Sequence, residues 1–182
     1  MMGGRVTLTS LSYALIGLAL AAPRTGYALR KVFADTPLGV FSSSPGSIYP
    51  ALRKLTASRH LDARTDGNSA IYHVTAKGRR ALRDWALAPV TLHEISREAD
   101  IALLRFAFQE MLDDAAGTRA FLLSFQEAVT AHIAGLEAYM ESDDVIHMSV
   151  HGRLAMENGI MSYRCNLAWA EKALRAFPEE GK

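Results

Sequence analysis

One stretch of the sequence, from Ser43 to Leu55, restricts the fold more than any other. It reads S-S-P-G-S-I-Y-P-A-L-R-K-L. The two serines can cap a helix, and a proline is tolerated in the first helical turn. Ile48, Leu52 and Leu55 then recur at helical spacing. The stretch therefore predicts a helix with one buried apolar face.

The opposite face of this predicted helix is small or basic. Gly46 and Pro50 keep it small, Arg53 and Lys54 make it basic, and Tyr49 lies on its flank. Small residues let a backbone approach a polyanion, and Arg or Lys can then contact phosphates or base edges. Pro50 lacks an N–H and crowds the carbonyl four residues earlier, so we expect a distorted first turn.

The net charge of +1 hides an asymmetry between the two halves of the chain. Residues 1–88 contain 12 Lys and Arg against four Asp, a net charge of +8. Residues 89–182 contain 8 basic and 15 acidic residues, a net charge of −7. This pattern indicates that the first half meets a polyanion, although two solvated surfaces would give the same counts.

Composition places the chain among folded proteins of one domain or two small ones. It has 182 residues, of which 49% are hydrophobic and 21% charged, so a core can form. Cys165 is the single cysteine, which excludes an intrachain disulfide and suits a reducing compartment. The run Leu11–Ala22 before Pro23 mimics a signal peptide. We favour a buried first helix instead, because the following helices need its apolar surface, and therefore expect a cytoplasmic protein without a membrane segment.

The order of the elements predicted for the first half is that of a winged helix. In chain order they are helices over Ser10–Ala21, Gly26–Asp35 and Ser43 to about Arg59, strands over Leu61–Asp66 and Ala70–Thr75, and a helix from Ala76 to about Leu87. The strands flank D-G-N-S, a turn sequence that tolerates positive φ. Phe41 is expected to fill the gap before the third helix.

The second half is predicted to be helical throughout. Its helices are expected over Leu92–Leu112, from Asp113 or Asp114 to about Met140, and from Asp143 or Asp144 to Phe177. Broad apolar faces on long helices cannot stay exposed, so these helices pack as a hairpin or against a second copy. The fold class is therefore mainly α, with a winged helix-turn-helix at 1–88 and a helical domain at 89–182.

Four segments of the first half resemble the PadR family of transcriptional regulators. They are L-S-Y-A-L-I-G-L, P-R-T-G-Y-A-L, S-P-G-S-I-Y-P-A-L-R-K-L and I-Y-H-V-T-A-K-G-R-R-A-L, in this order and at the family's spacing. The resemblance implies a homodimeric winged helix-turn-helix that binds double-stranded DNA and dimerises through its C-terminal helices. Many members repress genes from an operator of two-fold character, and in several a phenolic acid or drug-like aromatic releases the DNA.

The resemblance and the charge pattern together give a set of candidate DNA-binding residues. They are Ser44, Ser47, Tyr49, Arg53, Lys54, Arg59 and Arg64. Arg59 departs from the family, which usually has a glycine there, so it must end the helix differently or adopt a left-handed conformation strained by roughly 1 kcal/mol. The wing tip, residues 66–70, has no basic residue, so the resemblance does not assign it a minor-groove contact.

Other chemically distinctive residues allow two interpretations each. Trp85 and Trp169 could stack on a small aromatic effector, or they could anchor helix packing. His147 and His151 have a metal-compatible spacing, but two ligands do not make a site, and we expect no metal and no cofactor. His60 and His73 are expected at the surface near DNA.

Neither a phosphate-binding loop, a dinucleotide fingerprint nor a nucleophile elbow occurs in the sequence, so it offers no support for an enzyme. The main alternative to a regulator is a protein-interaction or ligand-sequestering module with weakened DNA binding, which the neutral wing tip would permit.

Overall fold

A computed structural model describes residues 8–40, 44–67 and 69–179 of the chain. The helices are α1 (Ser10–Ala21), α2 (Gly26–Asp35), α3 (Pro45–Ala57), α4 (Ala76–Ala86), α5 (Leu92–Gln109), α6 (Ala115–Met140) and α7 (Val150–Ala176), and the strands are β1 (Arg24–Thr25), β2 (Leu61–Asp66) and β3 (Ser69–Val74). The predicted fold class, mainly α with a winged helix, is confirmed. The expectation for Phe41 lies outside the described residues.

The chain divides into two compact units. The first comprises residues 1–86 together with 108–112, and the second comprises residues 87–107 and 113–182. The segment 108–112 thus belongs to the first unit, although residues 87–107, which precede it in the chain, belong to the second. Each unit has its own buried apolar residues, as a domain must.

Helix α1 is the centre of the first unit. Leu15 and Ile16 have no exposed surface, and α1 contacts α3, α4 and β3. Thr9 caps the helix, because its Oγ1 accepts a hydrogen bond from the Ser12 N–H at 3.3 Å. A helix that is apolar around most of its circumference must be surrounded, and α1 occupies that position.

The sheet of the first unit has three antiparallel strands in the order β1–β3–β2. Leu61 pairs with Val74 and Asp66 with Ser69, which makes β2 and β3 the predicted hairpin, with β3 starting one residue earlier than expected. Strand β1 was not predicted. It has only two residues, and it is a strand because it pairs with β3.

A hydrogen-bonded joint connects the end of α3 to the start of α4; we define the joint as residues 58–60 and 75–78. The Thr75 hydroxyl lies 2.8 Å from the Arg59 carbonyl oxygen and 3.1 Å from that of His60. The same hydroxyl oxygen accepts from the Gly78 N–H at 3.0 Å and so caps α4. Lys77 Nζ donates to the Ser58 carbonyl at 2.7 Å. The joint therefore connects the residues that follow α3 to the first turn of α4.

The second unit is a helical assembly in which α6 and α7 pack along each other. Its core is formed by buried apolar residues from several segments, including Ile95, Phe121, Phe125, Val129 and Ile160. Buried charge is also present. Arg105 lies 2.6 Å from a Glu94 carboxylate oxygen and donates to the Ala88 carbonyl. This pairing stabilises an arginine that would otherwise be very costly to bury.

Two helix boundaries of the second unit differ from the sequence prediction. Helix α5 is bent at Glu98, whose φ of −146° and ψ of 41° are not helical, and it ends at Gln109 rather than Leu112. Asp143 opens only a 3-10 turn, and α7 begins later, after Ser149, whose hydroxyl accepts from the Gly152 N–H at 3.1 Å. The predicted start at Asp143 or Asp144 was wrong because the better-placed cap is six or five residues further on. The start of α6 is as expected, with Asp114 as its cap.

Replacement of Gly78 by alanine should destabilise the first unit. A Cβ at this position would overlap the His60 carbonyl oxygen and lie 3.1 Å from its carbon and from Val74 Cγ2. We expect the free energy of unfolding to fall by about 1–3 kcal/mol, since overpacking outweighs the higher helix propensity of alanine. Denaturant unfolding measures the change.

Gly135 provides a matched control, because a Cβ there meets nothing within 4 Å in helix α6. Gly135→Ala should stabilise the protein by roughly 0.5–1 kcal/mol through helix propensity alone. Equal effects of the two substitutions would contradict the close approach at Gly78.

Candidate nucleic-acid interface

Helix α3 starts at a well-formed cap. The Ser44 hydroxyl oxygen accepts from the Gly46 N–H at 3.2 Å, and the Ser44 carbonyl accepts from the N–H groups of Ser47 and Ile48. Ser44 is exposed. Its hydroxyl group is therefore accessible to solvent at the N-terminal end of α3, the end of a helix that favours anions.

The two faces of α3 are separated as the sequence predicts. Ile48, Leu52 and Leu55 have at most 1% of their surface exposed. Their burial fixes the rotation of the helix about its axis. The exposed side presents predicted site residues: Ser47, Tyr49, Arg53 and Lys54. These four and the cap Ser44 thus lie along one helix.

Pro50 does not interrupt α3. The helix runs unbroken from Pro45 to Ala57, with the proline in its second turn. The expected disturbance of the first turn is therefore small. A proline this close to the N-terminus removes one backbone hydrogen bond while the buried stripe continues on both sides.

Arg59 adopts the left-handed conformation, with φ of 59°. Its N–H bonds to the Thr56 carbonyl at 3.0 Å, and the His60 N–H bonds to the Leu55 carbonyl at 2.9 Å. These two bonds form a Schellman motif with arginine at the position that glycine usually occupies. Of the two alternatives predicted for Arg59, the structure thus shows the left-handed one, and the side chain remains exposed.

His60 is buried, with 6% of its surface exposed, so its predicted place at the surface was wrong. Its Nδ1 is hydrogen-bonded to the Ser58 hydroxyl at 2.8 Å. Burial, with a contribution from the positive charge of Lys77, lowers the pKa of His60 below its ordinary value. The residue is thus part of the joint rather than of an exposed basic surface. The alternating pattern of β2 could not reveal this, because His60 precedes the strand.

The wing has one of the predicted basic residues. Arg64 is exposed on β2, and its Nε donates to the Asp62 carboxylate at 3.0 Å. The charge of Arg64 is thereby partly balanced by its neighbour. At the tip, Gly67 has a φ of 58°, as the turn sequence predicts.

Basic residues of α4 form a further charged surface that the candidate set did not include. Lys77, Arg79, Arg80 and Arg83 are exposed on the helix that the joint holds against α3. The sequence does show this polar face. What it could not show is that Lys77 reaches the Ser58 carbonyl at the end of α3.

The two tryptophans lie in different units and both contact aromatic side chains. Trp85 stacks on Tyr13 with ring centroids 4.4 Å apart and an interplanar angle of 3°. Trp169 meets Phe106 and Phe125 edge-to-face, at 5.1 and 5.4 Å. Both rings are half-buried. Helix packing therefore accounts for their positions, and effector binding by either stays a prediction.

Across residues 8–40, 44–67 and 69–179, no group of three or more His, Cys, Asp and Glu residues is arranged to hold a metal ion. In the same part of the chain, no helix combines the length and the apolar character that crossing a membrane requires.

Replacement of Arg59 by glycine should stabilise the fold, because glycine adopts positive φ without strain. We expect the free energy of unfolding to rise by about 0.5–1 kcal/mol, after the larger backbone entropy of glycine in the unfolded chain is subtracted. Chemical denaturation measures it. Arg80→Gly in the middle of α4 removes the same charge from a helical position and should instead destabilise by about 1 kcal/mol. A loss of stability in Arg59→Gly would refute the strain at this position.

Comparison with known proteins relates the first unit to one protein family. The model of the family described as "Transcriptional regulator PadR-like family" matches residues 15–84, which include the C-terminal part of α1, all of α2 and α3, the hairpin and most of α4. No curated protein matches the chain.

Several solved structures resemble the chain at low identity. Bacillus subtilis PadR in complex with p-coumaric acid is 23% identical, with 94% of this chain and 100% of that chain covered and a TM-score of 0.43. The same protein in complex with operator DNA is 22% identical, with 93% and 100% covered and a TM-score of 0.41. A PadR-like regulator from Bacillus cereus is 22% identical, with 92% and 97% covered and a TM-score of 0.40. Over residues 15–84, the first unit is thus similar to the PadR-like family of transcriptional regulators.

Proposed function

We propose that the protein binds double-stranded DNA through its first unit and represses transcription as a homodimer. Helix α3 is the recognition helix in this proposal. The observation that carries it is Arg59, a strained arginine that keeps its charge at the exposed end of α3. Backbone strain that neighbouring contacts hold in place is typical of functional positions.

The exposed side of α3 supplies the proposed contacts. Arg53 reads a base edge or binds a phosphate, and Lys54 and Arg59 bind phosphates. Ser44, Ser47 and Tyr49 donate hydroxyl hydrogen bonds to the backbone of the DNA. Arg64 contributes less, because Asp62 competes for its guanidinium group. In a two-fold dimer, recognition helices of this class read half-sites about 34–36 Å apart.

Replacement of Arg53 by alanine should weaken specific DNA binding. We expect a loss of about 1–3 kcal/mol, or roughly 5- to 150-fold in Kd, if the side chain reads a base. The measurement is a mobility shift with the DNA upstream of the protein's own gene, repeated at several salt concentrations. Arg97→Ala in the second unit is a control that removes an exposed charge outside the proposed interface.

The same experiment separates the proposal from its main alternative. Specific retardation that weakens steeply with salt supports a DNA-binding regulator. No retardation at low salt would instead favour an interaction or ligand-sequestering module. Unchanged binding by Arg53→Ala alone would remove this residue from the interface but leave the proposal standing.

Dimerisation is assigned to helix α7, which carries apolar residues on two faces. One face packs in the core of the second unit through Ile160 and Ala170. The other is solvent-exposed: Val150, Leu154 and Met161 are 72%, 58% and 63% exposed and lie on one side at helical spacing. Cys165 and Ala168 continue this α7 stripe and are also exposed. A second copy that packs against the α7 stripe would remove this apolar surface from water.

Leu154→Asp should convert the dimer to a monomer, because it places a charge in the centre of the α7 stripe. Sedimentation at micromolar concentration measures the mass. Ala155→Asp adds the same charge one residue away on another exposed face of α7, and it should leave the dimer intact. A wild-type monomer at these concentrations would contradict the proposal, as would a dimer of Leu154→Asp.

Release of DNA by a small aromatic effector is the part of the proposal that comes from the family resemblance. Trp85 and Trp169 are its candidate contacts. Any such ligand must bind the DNA-free arrangement of the dimer more tightly than the DNA-bound one, since only differential affinity shifts an equilibrium.

A further inference from the structure

An open cleft of about 220 Å³ lies beside helix α3. Five of the residues that line it carry hydroxyl groups: Thr25, Tyr27, Tyr49, Ser69 and Tyr72. The lining includes no charged side chain among the described residues. The cleft is therefore a neutral, donor-rich surface within an otherwise basic unit.

Gly26 forms the floor of this tyrosine cleft. A Cβ there would lie 2.9 Å from Tyr49 Cε1 and 3.5 Å from Tyr72 Cε2, so the two rings converge on bare backbone. Tyr72 is held in the central strand, opposite Arg24 of β1 and Ala63 of β2. The cleft thus has rigid walls from α3 and from the sheet.

Tyr27 stands at the outer edge of the cleft and is 62% exposed. The Arg30 guanidinium carbon lies 5.4 Å from its ring centroid, a cation–π contact that favours one orientation of the ring. Within the described ranges, the hydroxyls of Tyr27, Tyr49 and Tyr72 have no hydrogen-bond partner in the protein. Three donors at one surface are available to an external acceptor.

We propose that the tyrosine cleft binds the sugar–phosphate backbone of the DNA that α3 contacts. The hydroxyl groups of Tyr27 and Tyr72 donate hydrogen bonds to phosphate oxygens. The proposal rests on the DNA-binding function proposed above. Tyr49 belongs both to the exposed side of α3 and to the cleft. A DNA strand that contacts α3 therefore continues past the rings of Tyr27 and Tyr72. Tyrosine hydroxyls are established donors to phosphate oxygens, and the contact fixes register rather than sequence.

The neutrality of the cleft gives it a measurable signature. Basic side chains that neutralise phosphates release counterions. Each one makes the negative slope of log affinity against log salt concentration steeper by about one unit. A tyrosine hydroxyl neutralises no charge. Its loss therefore lowers affinity without a change in this slope, whereas loss of a phosphate-bound lysine such as Lys54 lowers both.

The test uses full-length Tyr27→Phe, Tyr72→Phe and the double variant, which remove only hydroxyl groups. Binding to the same upstream DNA fragment is measured by fluorescence anisotropy over a series of salt concentrations. We expect each single variant to raise Kd by about ten-fold or more, the effect of one lost hydrogen bond to a charged acceptor. We expect all three variants to keep the wild-type salt slope, and Lys54→Ala to reduce it by about one unit.

Tyr139→Phe in the second unit is the matched control and should bind as the wild type does. If the wild-type protein binds but the double variant has the same Kd, the cleft does not contact DNA and the inference fails alone. A reduced salt slope in the tyrosine variants would also overturn it. If the wild-type protein does not bind at low salt, the proposed function fails, and the inference fails with it.

Discussion

The close approach of α4 to the end of α3 is the constraint on which the first unit depends. Gly78 lets the α4 backbone pack against the His60 carbonyl, and Thr75 and Lys77 then hydrogen-bond to carbonyls of residues 58–60, which follow α3. The Ser58 carbonyl, at the C-cap of α3, is an acceptor that a helix end leaves without an intrahelical partner, and Lys77 satisfies it. These hydrogen bonds also hold Arg59 at positive φ. A helix that must present side chains at fixed positions needs such an attachment, because burial of one face alone fixes rotation and not the position of the end.

The proposed interface combines charged and neutral contacts on this fixed helix. Arg53, Lys54 and Arg59 provide charge, while the tyrosine cleft provides hydroxyl donors beside them. The wing arginine, Arg64, is paired with Asp62 and contributes less. In the proposed complex, affinity would therefore depend more on α3 and its flank than on the wing tip. The electrostatic part acts over a distance and weakens with salt, whereas the hydroxyl contacts act only at hydrogen-bond range.

In the second unit, the main constraint is the burial of apolar faces on long helices. Phe121, Phe125 and Ile160 contribute to its core, and the buried Arg105–Glu94 pair connects the two segments of α5 on either side of the bend at Glu98. The α7 stripe remains exposed in one copy of the chain. Exposed apolar residues at helical spacing are the physical reason to expect a partner helix, and a second copy supplies the same stripe.

The sequence by itself determined the local elements and the two faces of α3. The bounds of α1 and α2, the cap at Thr75, the hairpin and the buried stripe Ile48–Leu55 follow from turn chemistry and periodicity over a few residues. Features that depend on contacts between residues distant in the chain were decided by the tertiary structure alone. Strand β1 exists because β3 lies beside it, His60 is buried because α4 covers it, and the tyrosine cleft forms where three elements converge on Gly26. Arg59 combines both origins: its sequence position predicted either another helix end or a left-handed residue, and contacts from residues 75–77 accompany the left-handed conformation that the structure shows.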